Sequence, residues 1–260
     1  MKTIIIITNL LCSVIVNAQQ GYVEYGYVES LKLGNAKGLD YNATLLFNQK
    51  NSNYVTAKES LEKIEKINEQ KIVEEDGQVK AIFNGMGVSK DGNQVYFLRH
   101  NNLILSTLHL GKDIYFIKDS SINIGWEIST ETKKIGKFSC TKATANFRGR
   151  NYVAWFTTEI PLPYGPWKLK GLPGLIIEAY DTDKFVFWYF KNLEYPTSKS
   201  EELITFQKTN STQFVEYLQY KKMQQNLIIK REEKNAILMQ QNKGLEITPP
   251  KLNELFVECE

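Results

Sequence analysis

The residues that most often build catalytic or metal sites are scarce in this chain. Its 260 residues include two histidines and three cysteines. Metal sites need several nitrogen, sulfur or carboxylate ligands that converge on one point, and nucleophilic catalysis needs a base near a serine or cysteine. The sequence has no zinc-protease helix motif, hydrolase elbow, glycine-rich phosphate loop or Cys-x-x-Cys pair. We therefore predict no catalytic residue, no metal site and no cofactor, and an enzyme is the least favoured class of function.

An excess of charge of one sign is also absent. The chain has 32 Lys and Arg against 29 Asp and Glu, a formal net charge of +3. No strong electrostatic field therefore draws it to nucleic acid. The apolar run Ile4 to Val16 is too short to cross a bilayer. We expect a protein that neither binds nucleic acid nor spans a membrane.

Residues 1–18 have the pattern of a secretory signal peptide. Lys2 supplies the basic start, Ile4 to Val16 the apolar segment, and Val16-Asn17-Ala18 the small or uncharged residues before cleavage. We predict cleavage after Ala18 and a mature protein exported to the periplasm or out of the cell. Lipid anchoring is not expected, because Cys12 follows two leucines rather than the small residue that lipoprotein processing needs.

Cleavage would leave two cysteines, Cys140 and Cys259, in a compartment where disulfides persist. A bridge between them would close a loop of about a hundred residues and, in the chain-entropy treatment, stabilise the fold by roughly 4 to 5 kcal/mol. Two separate thiols are equally compatible with the sequence, because Cys259 lies where chains are often loose. Both states stay open.

Aromatic residues are abundant, with 14 Tyr, 13 Phe and 4 Trp, which favours strands and large apolar contacts. Apolar residues alternate along 22–31, and strand-like segments separated by turn residues follow up to residue 195. We predict a mainly β fold, an antiparallel β-sandwich or half-barrel-like sheet, with a C-terminal α-helix over 211–243 packed against it. The predicted divisions are the signal peptide 1–18, an antiparallel β domain 19–195, and a helical segment and tail 196–260.

Turn residues allow two hairpins to be placed. Asn101-Asn102 predicts a two-residue turn between strands, in which His100 faces Leu103. His109 would then lie at the far end of the hairpin, about 20 Å from His100 by strand rise, so one site cannot use both histidines. A second turn at Thr182-Asp183 predicts that Asp181 faces Lys184 in a cross-strand charge pair.

Two neighbouring segments stand out. Phe185–Phe190 is apolar at every position, and such a strand needs cover on both faces, from a sheet, a helix or a ligand. The proline-rich segment, residues 161–173, holds four of the seven prolines together with Gly165 and Gly171. Proline fixes φ and glycine permits conformations that other residues avoid, so this segment is predicted to be stiff and of defined shape.

Residues 171–176 read Gly-Leu-Pro-Gly-Leu-Ile, which resembles the signature string of the GLPGLI family. Flanking residues are also similar to that family's pattern, namely Cys140–Ala143, Phe147–Arg150, Ala154–Thr157, Ile160-Pro161 and Gly165-Pro166. The resemblance covers about residues 122 to 195. It implies an exported envelope protein of Gram-negative bacteria, of uncharacterised function, often discussed near TonB-dependent outer-membrane receptors. It carries over no catalytic or ligand-binding residue.

We expect the stiff segment and the apolar strand to form whatever recognition surface exists. The first hypothesis is a non-catalytic binding or carrier protein of the cell envelope, whose cleft takes an apolar small molecule. The second is an interaction module for an outer-membrane receptor, with aromatic anchors on a rigid loop. The candidate binding residues, each of which could instead be a core residue, are Trp155, Tyr164, Trp167, Phe187 and Tyr189.

A third feature is a short basic stretch. Arg148 and Arg150 flank a glycine, and Lys142 is nearby in the sequence. The three could form a small cationic site for an anionic group. Solvated charge around a hairpin turn is the favoured interpretation.

Overall fold

The computed structural model describes residues 20–30, 38–68, 70–75, 78–84, 87–110, 113–120, 122–200, 204–206, 214–242 and 257–259. The predicted signal peptide and its cleavage position lie outside these ranges, as do residues 211–213 and 243, the two ends of the predicted helix. Among the described residues, none of the helices combines the length and the apolar character that crossing a bilayer requires.

Within these ranges the chain is mostly strand, because alternating or continuously apolar segments are separated by short polar turns. The strands are β1 Gly21–Glu29, β2 Leu39–Phe47, β3 Asn51–Thr56, β4 Gln70–Glu75, β5 Gln78–Asn84, β6 Asn93–Leu98, β7 Leu103–Leu110, β8 Asp113–Ser120, β9 Glu127–Ile135, β10 Phe138–Phe147, β11 Arg150–Thr157, β12 Leu175–Asp181, β13 Val186–Glu194 and β14 Phe214–Glu216. The helices are α1 Ile64–Asn68 and α2 Tyr217–Gln241, with 3-10 turns at Glu59–Leu61 and Arg99–Asn101.

Twelve of the described strands form one sheet, in the order β14-β8-β7-β6-β3-β2-β1-β13-β12-β11-β10-β9. Neighbours in this sheet are antiparallel, except that β14 runs parallel to β8. Strands β4 and β5 form a separate hairpin. The prediction of a mainly antiparallel β fold followed by a helix is confirmed, and the sheet is not closed into a barrel.

The sheet nevertheless curves strongly. Asp119 of β8 and Arg148, just after β10, belong near opposite ends of the strand order. Nine strand spacings would hold them about 40 Å apart in a flat sheet, yet Nη2 of Arg148 donates to Oδ2 of Asp119 at 2.5 Å. The sheet therefore bends into a half-barrel-like shape with a concave inner face.

The proline-rich segment crosses that inner face. Tyr164 is buried there, with its ring 5.6 Å from that of Phe47 in β2 and 6.1 Å from that of Phe97 in β6. A Cβ added at Gly174, just after the segment, would collide with the carbonyl oxygen of Thr157. Glycine at this position therefore lets the backbone fold tightly back onto β11.

The hairpin between β6 and β7 differs from its prediction. Strand β6 ends at Leu98, which pairs with Leu103, and the intervening residues form a 3-10 turn closed by Asn102 at φ +50°. The connection has four residues rather than two, so the predicted pairing of His100 with Leu103 is wrong. His109 lies at the other end of β7 and pairs with Ile114 of β8.

The predicted charge pair between Asp181 and Lys184 is also wrong. The N–H of Lys184 donates to the carbonyl oxygen of Asp181 at 2.9 Å and closes the turn. The Asp181 carboxylate is buried and accepts hydrogen bonds from Arg150 Nη1 at 2.9 Å and from the N–H of Val186 at 2.8 Å. An anion in the interior needs a cation beside it, whereas Lys184 is exposed.

Helix α2 begins at Tyr217, later than predicted, because Phe214–Glu216 extend into β14. Its first turns pack against the sheet, with Tyr217 and Tyr220 buried beside Ile117 of β8. Farther along, apolar side chains such as Ile237 are largely exposed. The predicted packing of the helix on the sheet thus holds for its N-terminal part.

Candidate functional site

A cavity of about 700 Å³ opens on the concave face of the sheet. It lies between that face, the proline-rich segment, helix α2 and the strap, the name used here for residues 257–259. Among the described residues, its lining includes Tyr27, Tyr54, Trp167, Trp188, Gln224 and Glu258. The lining thus combines aromatic rings with polar and charged groups, among them Glu29 and Arg231, and ligand sites commonly combine apolar walls with polar groups that orient the ligand.

A row of roughly parallel aromatic rings forms one wall, here called the aromatic row: Trp167, Trp188, Tyr27 and Tyr41. Successive ring centroids are 5.9, 5.1 and 6.3 Å apart, with interplanar angles of 13°, 16° and 30°. Strand register builds three of the four positions, because Tyr27 pairs with Trp188 of β13 on one side and with Tyr41 of β2 on the other. Trp167 joins them from the proline-rich segment, at φ +54°.

Hydrogen bonds orient the aromatic row. Nε1 of Trp188 donates to the Tyr54 hydroxyl at 2.9 Å, and the Tyr27 hydroxyl donates to Oε2 of Glu29 at 2.6 Å. Burial raises the pKa of Tyr27 and of Tyr54 above the ordinary phenol value. Both hydroxyls therefore stay protonated at neutral pH and the wall carries no phenolate charge.

An ion cluster borders the cavity, formed by Asp119, Arg148, Lys168 and Glu258. Nζ of Lys168 is 2.5 Å from Oε1 of Glu258 and 3.5 Å from Oδ2 of Asp119. Arg148 bonds Asp119 at 2.5 Å and approaches Oε2 of Glu258 at 3.9 Å. The Lys168 side chain is 0% exposed, so these charges act on one another with little screening by water.

The interpretation of Arg148 and Arg150 as solvated charge is wrong. Arg150 pairs with Asp181 through side chains only 2% and 1% exposed, and its Nε donates to the carbonyl oxygen of Val257 at 2.9 Å. Burial raises the pKa of Asp181, and the Arg150 charge opposes that rise. Lys142 does not join these cations, since it bonds Glu131 at 2.9 Å on the sheet surface.

Of the five candidate binding residues, Trp167 lines the cavity. Tyr164 is buried in the core, where burial raises its pKa to about 12. Trp155 is buried on the outer face of β11, and Nζ of Lys133 stands 4.4 Å from its ring centroid. Those two residues contribute packing rather than cavity wall.

Phe187 and Tyr189 alternate with Val186 and Trp188 along β13. Val186 and Trp188 point inward and are buried, whereas Phe187 and Tyr189 are half-buried on the outer face. The Tyr189 hydroxyl donates to the Asp40 carboxylate at 3.0 Å. The expectation that this strand is hidden on both faces is therefore wrong, because Phe187 and Tyr189 stay partly exposed on its outer face.

Sequence reasoning missed Trp188, Tyr27 and Glu258 as lining residues. Trp188 and Tyr27 lie in segments recognised as strands, and their mutual register would have identified them. Glu258 has no local signal, because its position depends on residues 90 and more positions earlier in the chain.

Two further questions from the sequence concern a metal site and a disulfide. No group of three or more His, Cys, Asp or Glu among those residues could hold a metal ion. No disulfide joins Cys140 to Cys259. The N–H of Cys259 bonds the carbonyl oxygen of Arg148, eight residues beyond Cys140 along β10 and thus about 25 Å from it. Disulfides need Cα atoms within about 7 Å, so of the two open states the structure has separate thiols.

A family profile described as "Protein of unknown function (Porph_ging)" matches residues 148–178. The matched segment begins in the ion cluster, continues through β11 and the proline-rich segment, and ends in β12. It includes residues 171–176, although the GLPGLI name itself stays a prediction. Comparison with curated proteins gives no significant match.

The fold is similar to solved structures of PNGF-II. Structures in the P21 and C2 space groups give TM-scores of 0.51 and 0.49, each at 14% identity and over 79% of this chain. They match 33% and 32% of the PNGF-II chain, so this chain spans about a third of the length of that protein. At 14% identity, the similarity to the P21 structure shows a shared fold and nothing further. The lower TM-score of the C2 structure supports no argument.

Proposed function

We propose that this protein is a non-catalytic binding or carrier protein of the cell envelope, whose cavity takes an apolar, ring-containing small molecule. The aromatic row beside a cavity of about 700 Å³ is the observation that supports this function most strongly. Small-molecule sites typically occupy roughly 300 to 1,000 Å³ and are lined mainly by apolar and aromatic side chains.

The chemistry of the lining favours binding over catalysis. The Glu258 carboxylate is ion-paired with Lys168, and Glu29 accepts a hydrogen bond from Tyr27, so both are engaged in structural contacts. The tyrosine hydroxyls of the wall stay neutral. Such groups orient a ligand by hydrogen bonds and stacking.

The origin of the aromatic wall supports the same proposal. Trp167 comes from the stiff proline-rich segment, and Trp188 comes from the apolar strand. These are the two segments from which the sequence predicts a recognition surface. A rigid wall binds with little loss of side-chain entropy.

A cavity-blocking substitution on α2 tests the proposal. Leu227 lines the cavity, whereas Leu218, on the same helix, is 71% exposed and lies outside the lining. With the neutral fluorescent probe N-phenyl-1-naphthylamine, we expect saturable binding that Leu227→Trp weakens about tenfold. Leu218→Trp adds the same ring elsewhere and should leave the affinity unchanged. Absence of probe binding, or equal weakening by both substitutions, would reject the proposal.

The interaction-module hypothesis rests on a different surface. Phe187, Tyr189 and Tyr180 form half-buried ring contacts on the outer face of the sheet. Half-exposed aromatic rings are frequent anchors in protein interfaces. Cross-linking in the envelope should recover a TonB-dependent receptor with the unmodified protein and lose it with Phe187→Ser. Recovery of the receptor with both proteins would remove this alternative.

A further inference from the structure

Glu258 stands where the cavity meets the ion cluster. Among the described residues that line the cavity, it is the one that also belongs to that cluster. Its side chain is 2% exposed, and one carboxylate oxygen lies 2.5 Å from Nζ of Lys168. A carboxylate is therefore already accommodated at this edge of the cavity.

The strap holds Glu258 in this position through main-chain contacts. Arg150 donates to the carbonyl oxygen of Val257 at 2.9 Å, Gln224 donates to that of Glu258 at 3.4 Å, and the N–H of Cys259 donates to Arg148 at 3.1 Å. In the described part of the chain, the strap pairs with none of the sheet strands. The carboxylate is thus supplied by a segment attached at single points rather than built into the sheet.

The buried charge of Lys168 accounts for the presence of a carboxylate at this edge of the cavity. A fully buried ammonium group is costly unless a carboxylate compensates its charge. Asp119 lies farther from Lys168, at 3.5 Å, and also bonds Arg148 at 2.5 Å. Glu258 is therefore the close counter-ion of Lys168, and another carboxylate reaching the same point from the cavity would meet the same requirement.

We infer that Lys168 and Arg148 form a carboxylate-binding subsite at the edge of the cavity, and that Glu258 competes for it with the carboxylate of an amphipathic ligand. The ligand class is a carboxylic acid with an apolar body. The apolar body packs against the aromatic row, and the acid group takes the place of the Glu258 carboxylate. This inference rests on the proposed function, since it needs a ligand in the cavity.

A matched pair of probes tests the subsite, namely 11-(dansylamino)undecanoic acid and its methyl ester. The two share one apolar body and differ in the charge of the head group. Glu258→Gln keeps the size of the side chain and removes its charge. We expect this variant to bind the acid about tenfold more tightly than the unmodified protein, because the internal competitor is weakened. Affinity for the ester should change less than about twofold.

Two further variants complete the design. Glu216→Gln removes one negative charge from an exposed side chain, 3.7 Å from Lys118, and should leave both affinities unchanged. Lys168→Met removes the cation of the subsite and should lower the acid-to-ester affinity ratio below that of the unmodified protein, while ester binding persists. If Lys168→Met does not fold, the acid-to-ester ratio of Glu258→Gln decides alone.

The outcomes separate the two proposals. If the ester binds while Glu258→Gln leaves the acid-to-ester ratio unchanged, the subsite is wrong and the cavity function stands. If neither probe binds any variant, the subsite is wrong, and the proposed function is wrong as well only when N-phenyl-1-naphthylamine also fails to bind.

Discussion

The two faces of strands β11 to β13 carry aromatic residues in similar number and reach different environments. On the inner face, Tyr152 and Trp188 are 1% exposed, and the proline-rich segment lies over them. On the outer face, Phe187 and Tyr189 are half-buried, and their contacts are mainly with neighbouring rings and charges. The element packed over the inner face buries its rings, whereas the rings of the outer face, apart from Trp155, stay partly exposed.

The largest contrast is expected for tryptophan and phenylalanine in successive positions of β13. Trp188→Ala removes a buried ring that stacks on two others and should lower the free energy of unfolding by about 3 to 5 kcal/mol. Phe187→Ala removes cross-strand contacts on the outer face and should cost about 1 kcal/mol. Urea unfolding of the two purified variants measures both. Equal losses would show that the faces are not different.

The second contrast compares ion pairs on the two faces. Arg150→Met leaves Asp181 buried without its cation and should destabilise by about 3 to 5 kcal/mol. Lys133→Met breaks a pair with Glu178 in which the side chains are 36% and 16% exposed, and should cost about 1 kcal/mol or less. Thermal unfolding ranks the variants, and the double variant Arg150→Met/Asp181→Leu should recover part of the loss. A double variant less stable than Arg150→Met alone would contradict the buried-charge explanation.

The same variant has a predicted pH dependence. Burial raises the pKa of Asp181, and Arg150→Met removes the charge that opposes this rise. The folded variant then keeps a proton that the unfolded chain releases above its ordinary pKa of about 3.9. Its stability should therefore fall as pH rises from about 4 toward neutrality, relative to the unmodified protein. Parallel pH profiles for the two proteins would show that the Arg150 charge does not hold down the pKa of Asp181.

Local patterns predicted much of this fold. The alternation in β1 and a turn at Arg148-Gly149-Arg150 follow from side-chain period and turn chemistry, although Arg150 itself already pairs with Phe147. Which residues of β13 point inward could not be predicted. An unbroken apolar run shows no alternation that would distinguish the inward side chains from the outward ones. Pairing of Trp188 with Tyr27, more than 160 residues away, sets which residues point inward.

The site was harder to predict than the fold. From the sequence alone, Arg150 is interpreted as a charged residue in a turn. Its partners, Asp181 and Val257, lie 31 and 107 residues away in the chain. Glu258 has no periodicity or motif around it. Long-range charge pairing leaves no local trace, which is why Glu258 and its pairing with Lys168 were absent from the sequence prediction.

A third contrast concerns single hydroxyl groups. The Tyr25 hydroxyl is buried and donates to the carbonyl oxygen of Ile176 at 2.6 Å, so Tyr25→Phe should cost about 1 to 3 kcal/mol. Tyr189→Phe removes a bond to Asp40 on the outer face, where water can replace it, and should cost less than about 1 kcal/mol. Chemical denaturation of both variants gives the comparison, and a reversed order would contradict it.

The smallest effect is a difference in thiol labelling, which leaves the fold intact. Cys140 is buried in the core, and burial raises the pKa of its thiol to about 11. Cys259, on the strap, is partly exposed. Iodoacetamide at pH 8 should therefore modify Cys259 and leave Cys140 until the protein is unfolded, because the thiolate is the reactive form. Peptide mass spectrometry locates the label, and rapid modification of Cys140 would mean that the core opens to water.

Strand β9 gives the sheet a protected margin. It lies at one end of the strand order, and among its nine residues are Glu127, Glu131, Lys133 and Lys134. A strand from a second molecule that added itself here would have to set its own side chains against these four charges, which disfavours edge-to-edge growth. Charged side chains on an edge strand thus guard β9 against pairing with a strand of another molecule.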